Sequence, residues 1–432
     1  MKKNILRRLA THLALLILSF SAPVLAGGLY VWEFGHPAQG ASGAGVGALA
    51  QDASTAFLNP AGIVELDDSN VLVTGIIIDS SIKLSQDAAS SATFPSVADA
   101  AGNRPASNGG DAGGTIPGAA FFYARPVNDK WGWGVSMVSI SGALLEYEEP
   151  KDFAGRYWAT RVDLLTINMT PALSYRVNDH LSLGLGVPIT FGTLEMDIAI
   201  PGPLAGTPEG LALIKDGTDI SATVILSALW QATPKLRIGA VYLGENEIEF
   251  DSDLELQLPM GGSLEDIAAD VGFTYPQTIR TWYAYEANDR VTLLGTVAWE
   301  DWSAYDNVFI STPVGEGALP RNWDDTWHFA AGLKIKTGGP WTWYTGIAYD
   351  TNPTRPEDRT ADTPIDKQWR LSAGANYERS NGHRVGVVVT WADYGDAAID
   401  NGSNRPVSGL PWTVKSNYST NRILFLGINY GW

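Results

Sequence analysis

The sequence predicts an all-β protein: a 14-stranded antiparallel transmembrane β-barrel with an N-terminal plug of short helical turns inside its lumen. Three observations predict it. Two-residue alternation recurs from Val71 to the C-terminus, short and long connections take turns between the alternating stretches, and the one strong apolar run is a leader at the N-terminus. A tilted strand of about 9–11 residues crosses the hydrocarbon, and closing the sheet leaves no unpaired backbone facing lipid.

The chain opens on an expected signal peptide, residues 1–26. Lys2, Lys3, Arg7 and Arg8 form its positive region, Leu13 to Phe20 its apolar region, and Val24-Leu25-Ala26 a small-residue cleavage site. Residues 27–69 follow as the plug. They are crowded with Gly, Ala, Ser and Pro, so the pieces between breakers are long enough only for single helical turns. The segment is too broken and too polar to cross a bilayer as a helix.

The barrel is expected over 70–432. Its strand signals fall at about 70–82, 116–126, 131–145, 162–177, 180–198, 219–231, 235–251, 276–286, 290–305, 325–337, 341–350, 367–378, 382–395 and 420–432. In WRLSAGANY, Trp369, Leu371, Ala373, Ala375 and Tyr377 share a face against Arg370, Ser372, Gly374 and Asn376. In LSLGLGVPITF, leucines oppose Ser182, Gly184 and Gly186. A soluble sandwich alternates too. The connections separate the two: tight ones at 125–129, 177–180, 232–235, 286–289, 337–340 and 379–382 alternate with long ones at 83–115, 146–161, 199–218, 252–275, 306–324, 351–366 and 396–419. That order gives short turns at one rim and long outer loops at the other.

The third strand breaks its own phase. Trp131, Trp133, Val135 and Met137 share one face. Beyond them Ser139 and Ser141 take that face, and Val138, Ile140 and Leu144 the other. A slip of one residue is what a β-bulge produces, and in a barrel wall it interrupts pairing. The last strand, NRILFLGINYGW, ends on Trp432, and a terminal aromatic there resembles the signal read by the bacterial barrel-assembly machinery.

Composition agrees. The 16 Trp and 16 Tyr suit the two headgroup levels of a membrane barrel. The formal net charge is −18; a cleaved leader takes four positive charges with it and leaves −22. So acidic a chain is expected to repel nucleic acid. With no cysteine there is no disulfide framework and no thiol nucleophile. The five histidines (12, 36, 180, 328 and 383) lack metal-ligand spacing, so neither a metal nor any other cofactor is expected. The acidic alternation Glu245, Glu247, Glu249, Asp251, Asp253 and Glu255 suggests a solvated outer rim, in reach of lipopolysaccharide through divalent cations.

Asn59-Pro60-Ala61 in the plug, AGRYWATRVDLLTINMTPALSYRVNDHLSLGLG (154–186), the stretch ending in DWSAY (275–305), NWDDTWHFAAGLKIK (322–336) and the PEDR-containing segment 341–377 together resemble the FadL/TodX (outer membrane protein P1-like) family. These are outer-membrane transporters for long-chain fatty acids and hydrophobic compounds. The resemblance implies a Gram-negative outer-membrane location, no enzymatic activity, and a plug acting as a hatch, with Asn59, Pro60 and Ala61 as its motif. It implies passive uptake of a hydrophobic small molecule, either a fatty acid or an apolar or aromatic hydrocarbon. The ligand would be caught by the outer loops, for which Phe153, Tyr157, Trp158, Leu204, Leu211 and Ile214 are candidates. It would pass to a lumen site at the hatch and leave sideways at the kinked third strand, near Val138, Ser139, Ile140, Ser141 and Gly142.

In fatty-acid members a basic lumen group pairs with the carboxylate. Here Asp324 stands where that pattern would carry a lysine. Arg161, Arg280 and Arg370 are the polar lumen candidates, and the phases of the last two point inward. They serve either a ligand carboxylate or, as the preferred reading, the balance of lumen acids. The expected partners are the ligand, outer-membrane lipid and lipopolysaccharide, and the assembly machinery, around a monomer. Two rival readings are an outer-membrane lipid-acting enzyme and a general diffusion porin. The first needs Ser and His on one lipid-facing patch, and the second charged constriction loops instead of a plug.

Overall fold

Alternation puts apolar side chains on one face of a strand, but only pairing decides whether the strands close. A computed structural model describes residues 29–86, 107–201, 208–259, 261–313, 315–400 and 414–432. In it β1 (Asn70–Gln86), β2 (Thr115–Pro126), β3 (Trp131–Glu146) and β4 (Arg161–Asn178) are continuous. The next four wall strands are each interrupted once: β5 (Leu181–Gly186 and Ile189–Ile200), β6 (Gly210–Ala222 and Ile225–Thr233), β7 (Leu236–Leu243 and Asn246–Gln257) and β8 (Ser263–Tyr275 and Thr278–Glu286). Then come β9 (Val291–Glu300), β10 (Thr326–Lys336), β11 (Trp341–Asp350), β12 (Gln368–Glu378), β13 (Arg384–Asp393) and β14 (Lys415–Gly431). Every wall strand runs antiparallel to its neighbours, and β14 returns to β1 from Leu72 opposite Gly431 to Gln86 opposite Ser416, closing the cylinder.

The interruptions in β5 to β8 adjoin one another. Pro188 and Pro276 cannot donate to a ladder. Thr223 N donates instead to Pro188 O (3.0 Å) and Gly244 N to Val224 O (2.9 Å), so the breaks form a seam across four strands. The seam frees Pro276 O, which accepts from the Tyr30 hydroxyl of the plug at 2.8 Å.

The two faces of the wall differ as the phases require. Leu371 is 51% exposed and its neighbour Arg370 is 3% exposed, because one faces lipid and the other the lumen. Exposed rings cluster toward the short turns (Trp131, Trp230, Trp341, Trp432) and again toward the outer side (Trp327, Trp369, Trp391). Two levels of amphipathic rings match the two headgroup layers.

The plug fills the lumen as four short turns: Pro37–Ala41, Val46–Leu49, Thr55–Leu58 and Pro60–Glu65. Wall glycines make room for it. A Cβ on Gly346 would lie 2.2 Å from Ala41 O, and one on Gly184 would lie 2.2 Å from Ala61 N. The small phase of LSLGLG therefore faces the plug backbone, and its leucines face out.

Three stretches expected as outer loops, 199–218, 252–275 and 306–324, are largely strand where described. Asn246–Gln257 pairs with Ser263–Tyr275, Asn307–Thr312 pairs with Gly315–Pro320, and Gly210–Ala222 pairs with Ile189–Ile200. The polarity of these stretches suggested loops. They project beyond the apolar band, where outward side chains such as Asp253 and Asp270 meet water while the ladder still satisfies the backbone. The residues for the leader, and Leu204, lie outside the described residues.

Candidate lateral gate and lumen site

The phase slip in β3 is a bulge. Val138 pairs with Asn168 and Ser141 with Thr166, so Ser139 and Ile140 together oppose Ile167 alone. On the other edge the β2–β3 ladder stops at Phe121 opposite Met137. From Ala120 back to Thr115, β2 keeps its pairing with β1 only. Above Met137 the wall therefore has an unpaired seam between β2 and β3.

The plug covers this seam from inside. Val31 N donates to Ile140 O at 2.7 Å, and Tyr30 bridges to Ser141. Ser141 is held from two further directions: its hydroxyl lies 2.6 Å from the Tyr275 hydroxyl, and its carbonyl accepts from Thr166 Oγ1 at 2.8 Å. A void of about 30 Å³ remains between Val31, Phe34, Gly118, Ala120, Ser139 and Gly142. Val138, Ile140 and Ser141 are buried, so the bulge turns both Ile140 and Ser141 away from lipid.

Next to the seam the lumen is aromatic. Tyr30 stacks on Tyr275 (centroids 5.6 Å apart, planes at 16°) and abuts Trp302 at 5.3 Å. Trp302 continues to Trp323 (5.3 Å), and Tyr305 packs against both Trp323 (4.8 Å) and Phe273 (5.6 Å). The cluster draws on the plug, β8, the turn Trp302–Ala304 and the approach to β10. None of these rings is among the ligand candidates read from the sequence. The signal was there in DWSAY and NWDDTW, whose Trp302, Tyr305 and Trp323 all turn inward.

Beside the rings lies a belt of buried charge. Arg280 Nη2 donates to Glu300 Oε1 (2.7 Å), whose other oxygen accepts from Trp302 Nε1 (2.8 Å). Arg370 binds Asp350, and its Nε lies 3.1 Å from Glu33 of the plug. Arg280 and Arg370 thus face the lumen as their phases predict. Each is occupied by a carboxylate of the protein. Arg161 is half-buried nearer the outer rim and pairs with Asp163 (3.3 Å) and Glu195 (2.8 Å). Asp324 is exposed and pairs with Arg355.

The Asn59-Pro60-Ala61 segment ties the plug to two strands, β4 and β6. Asn59 Nδ2 donates to Gly47 O (2.7 Å) and Ala228 O (3.2 Å). Ala61 N donates to Ser227 Oγ (3.0 Å), and Ala61 O accepts from Ser174 Oγ (3.0 Å). Pro60 starts the turn Pro60–Glu65, where a missing N–H costs nothing.

Among the outer residues, Phe153, Tyr157, Trp158 and Ile214 are packed inside, and Phe153 stacks on Tyr147 with ring centroids 3.6 Å apart. Leu211 is half-buried on β6. It borders an outer groove of about 780 Å³ together with Tyr147, Arg156, Arg161, Ala199 and Leu258.

A family model described as "Outer membrane protein transport protein (OMPP1/FadL/TodX)" matches residues 17–430. The chain belongs to this family. It is 23% identical to the "Long-chain fatty acid transport protein" of Escherichia coli (strain K12), across 94% of this chain and 97% of that one. It is 24% identical to "Outer membrane protein P1" of Haemophilus influenzae, across 78% and 79%. A FadL homologue from Pseudomonas aeruginosa superposes with a TM-score of 0.83 at 21% identity, covering 94% of this chain and 99% of that one. The P. putida toluene transporter TodX superposes at 0.67 and 15% identity, covering 92% and 98%. As a FadL/TodX member the chain is an outer-membrane β-barrel transport protein of Gram-negative type and not an enzyme.

Proposed function

We propose that this protein takes up hydrophobic molecules passively, receiving them at the outer groove beside Leu211, holding them at the aromatic lumen cluster, and releasing them sideways into the membrane. The observation that carries the reading is the end of the β2–β3 ladder at Phe121–Met137, directly below the β3 bulge. An apolar solute gains nothing by entering the water beneath the hatch, whereas a side exit passes it into hydrocarbon. The outer groove and the rings offer the apolar lining with few polar groups that such a solute needs. No energy source is required, because the gradient and later consumption set the direction. Tyr30 belongs both to the ring cluster and to the strip over the seam. A ligand that displaces its ring therefore favours a state with the seam uncovered. Fatty acids and apolar or aromatic hydrocarbons are the ligand classes this reading admits.

The test restores the wall. Deleting Ile140 removes the extra residue of the bulge, so that β3 can pair with β2 beyond Met137. Cells relying on this protein should then take up radiolabelled toluene or fatty acid at least about tenfold more slowly, with equal barrel in the outer membrane. Unchanged uptake in the deletion, or free passage of a small sugar through the intact protein, would overturn the reading.

A further inference from the structure

The charged belt at the hatch can be counted. It contains three carboxylates (Glu33, Glu300 and Asp350) and two guanidiniums (Arg280 and Arg370), with His328 bonded through Nδ1 to Asp350 at 2.8 Å. With all three carboxylates ionised and the histidine neutral, the belt carries one surplus negative charge. No buried arginine among the described residues is spare. The five buried arginines among them, Arg156, Arg280, Arg321, Arg359 and Arg370, all face a protein carboxylate within 4 Å. Besides Arg370 Nε, which lies against Glu33, two buried donors at the same place have no acceptor: Trp32 Nε1 and Arg280 Nε. They adjoin each other, since the Arg280 guanidinium lies 4.3 Å from the Trp32 ring centroid.

We propose that the ligand held in the lumen is an uncharged hydrophobe bearing a hydrogen-bond acceptor, such as an ester, ketone or alcohol, and that Glu33 is the residue that excludes carboxylates. This rests on the lumen site proposed above. A buried anion needs a cation or several donors, and a second anion beside an unneutralised one is repelled. A neutral oxygen needs only a donor, and the belt has two to give. Burying such donors unpaired is costly, so the site discriminates in favour of a ligand that meets them. Glu33 reaches the belt from the plug, beside the strip that covers the seam, so the selective charge stands at the exit.

The test uses one chain in two charge states: a dodecanoate carrying a terminal diazirine, and its methyl ester. Each is irradiated with the full-length protein in amphipol at pH 7.5, and labelled peptides are read by mass spectrometry. Only label within 29–34 or 299–305 that unlabelled competitor removes is counted, which sets aside adducts on the lipid face. The ester should label these segments at a concentration at least about tenfold lower than the carboxylate. Glu33→Gln should narrow that gap several-fold while leaving the ester within twofold of the parent. Glu300→Gln, which removes a belt carboxylate from the wall instead of the hatch, should shift it the same way. Carboxylate labelling equal to or better than ester labelling in the parent, or a gap unchanged in both variants, would overturn this inference and leave the transport reading standing. If neither probe labels the lumen, both readings fall together.

Discussion

The hydroxyls of Ser141 and Tyr275 lie 2.6 Å apart, joining the bulge in β3 to β8 across the lumen. Ser141 sits at the seam, and Tyr275 is stacked on Tyr30 of the plug. One hydrogen bond therefore connects the interrupted wall, the ring cluster and the strip that covers the opening. Such a bond contributes about 1 kcal/mol.

Tyr275→Phe keeps the stack and removes the bond. Residues 29–34 should then exchange their amide hydrogens about five- to tenfold faster, as expected for a local opening made about 1 kcal/mol easier. Heat-resistant barrel migration should not change. Exchange as slow as in the parent would show that the bond does not hold the strip.

Gly346→Val places a side chain where a Cβ meets Ala41 O at 2.2 Å. The added side chain meets backbone, which has no rotamer to swing aside, so the plug has to shift, at a cost of about 1–3 kcal/mol. The expected outcome is a barrel of normal thermal stability with a displaced plug, detected as sensitivity to large antibiotics that the parent excludes.

Arg370→Met leaves Asp350 and Glu33 buried without their guanidinium. Breaking a buried pair from one side costs about 3–5 kcal/mol. The measured loss should fall to less than half in the triple variant that also carries Asp350→Asn and Glu33→Gln. Additive losses in urea unfolding would contradict the network.

Arg321 and Asp362 join two outer stretches at 2.7 Å. Burial pushes the Asp362 carboxyl up, but the Arg321 guanidinium and its hydrogen bonds outweigh this and leave it below the ordinary range. A carboxyl depressed in the folded state stabilises above its unfolded value of about 3.9, and that contribution is lost as pH falls through the folded value. The segment 353–366 should resist pepsin at pH 4 and become cleavable only at distinctly lower pH. In Arg321→Gln, cleavage should already appear near pH 4.

Much of the barrel was legible because lipid allows so few solutions. Alternation in WRLSAGANY assigned Leu371 to lipid and Arg370 to the lumen, and the unequal connections set the up-and-down order. The β3 slip was legible for the same reason: a period of two makes a single extra residue visible. Polarity misled where strands rise out of the membrane, as at 252–257 and 263–275, because there water replaces lipid on the outer face.

By itself the sequence determined that a closed wall forms, which faces line it, and where its pairing fails, since these follow from backbone satisfaction and local periodicity. The tertiary structure alone decided what stands beside that failure. Tyr30, Tyr275, Trp302 and Trp323 are up to 293 residues apart in the chain and meet only because the barrel closes around the plug. The same closure around the plug gave Arg370 its second carboxylate, Glu33. Charge compensation inside a lumen depends on which strands become neighbours and on what the plug brings to them, and no local pattern encodes either.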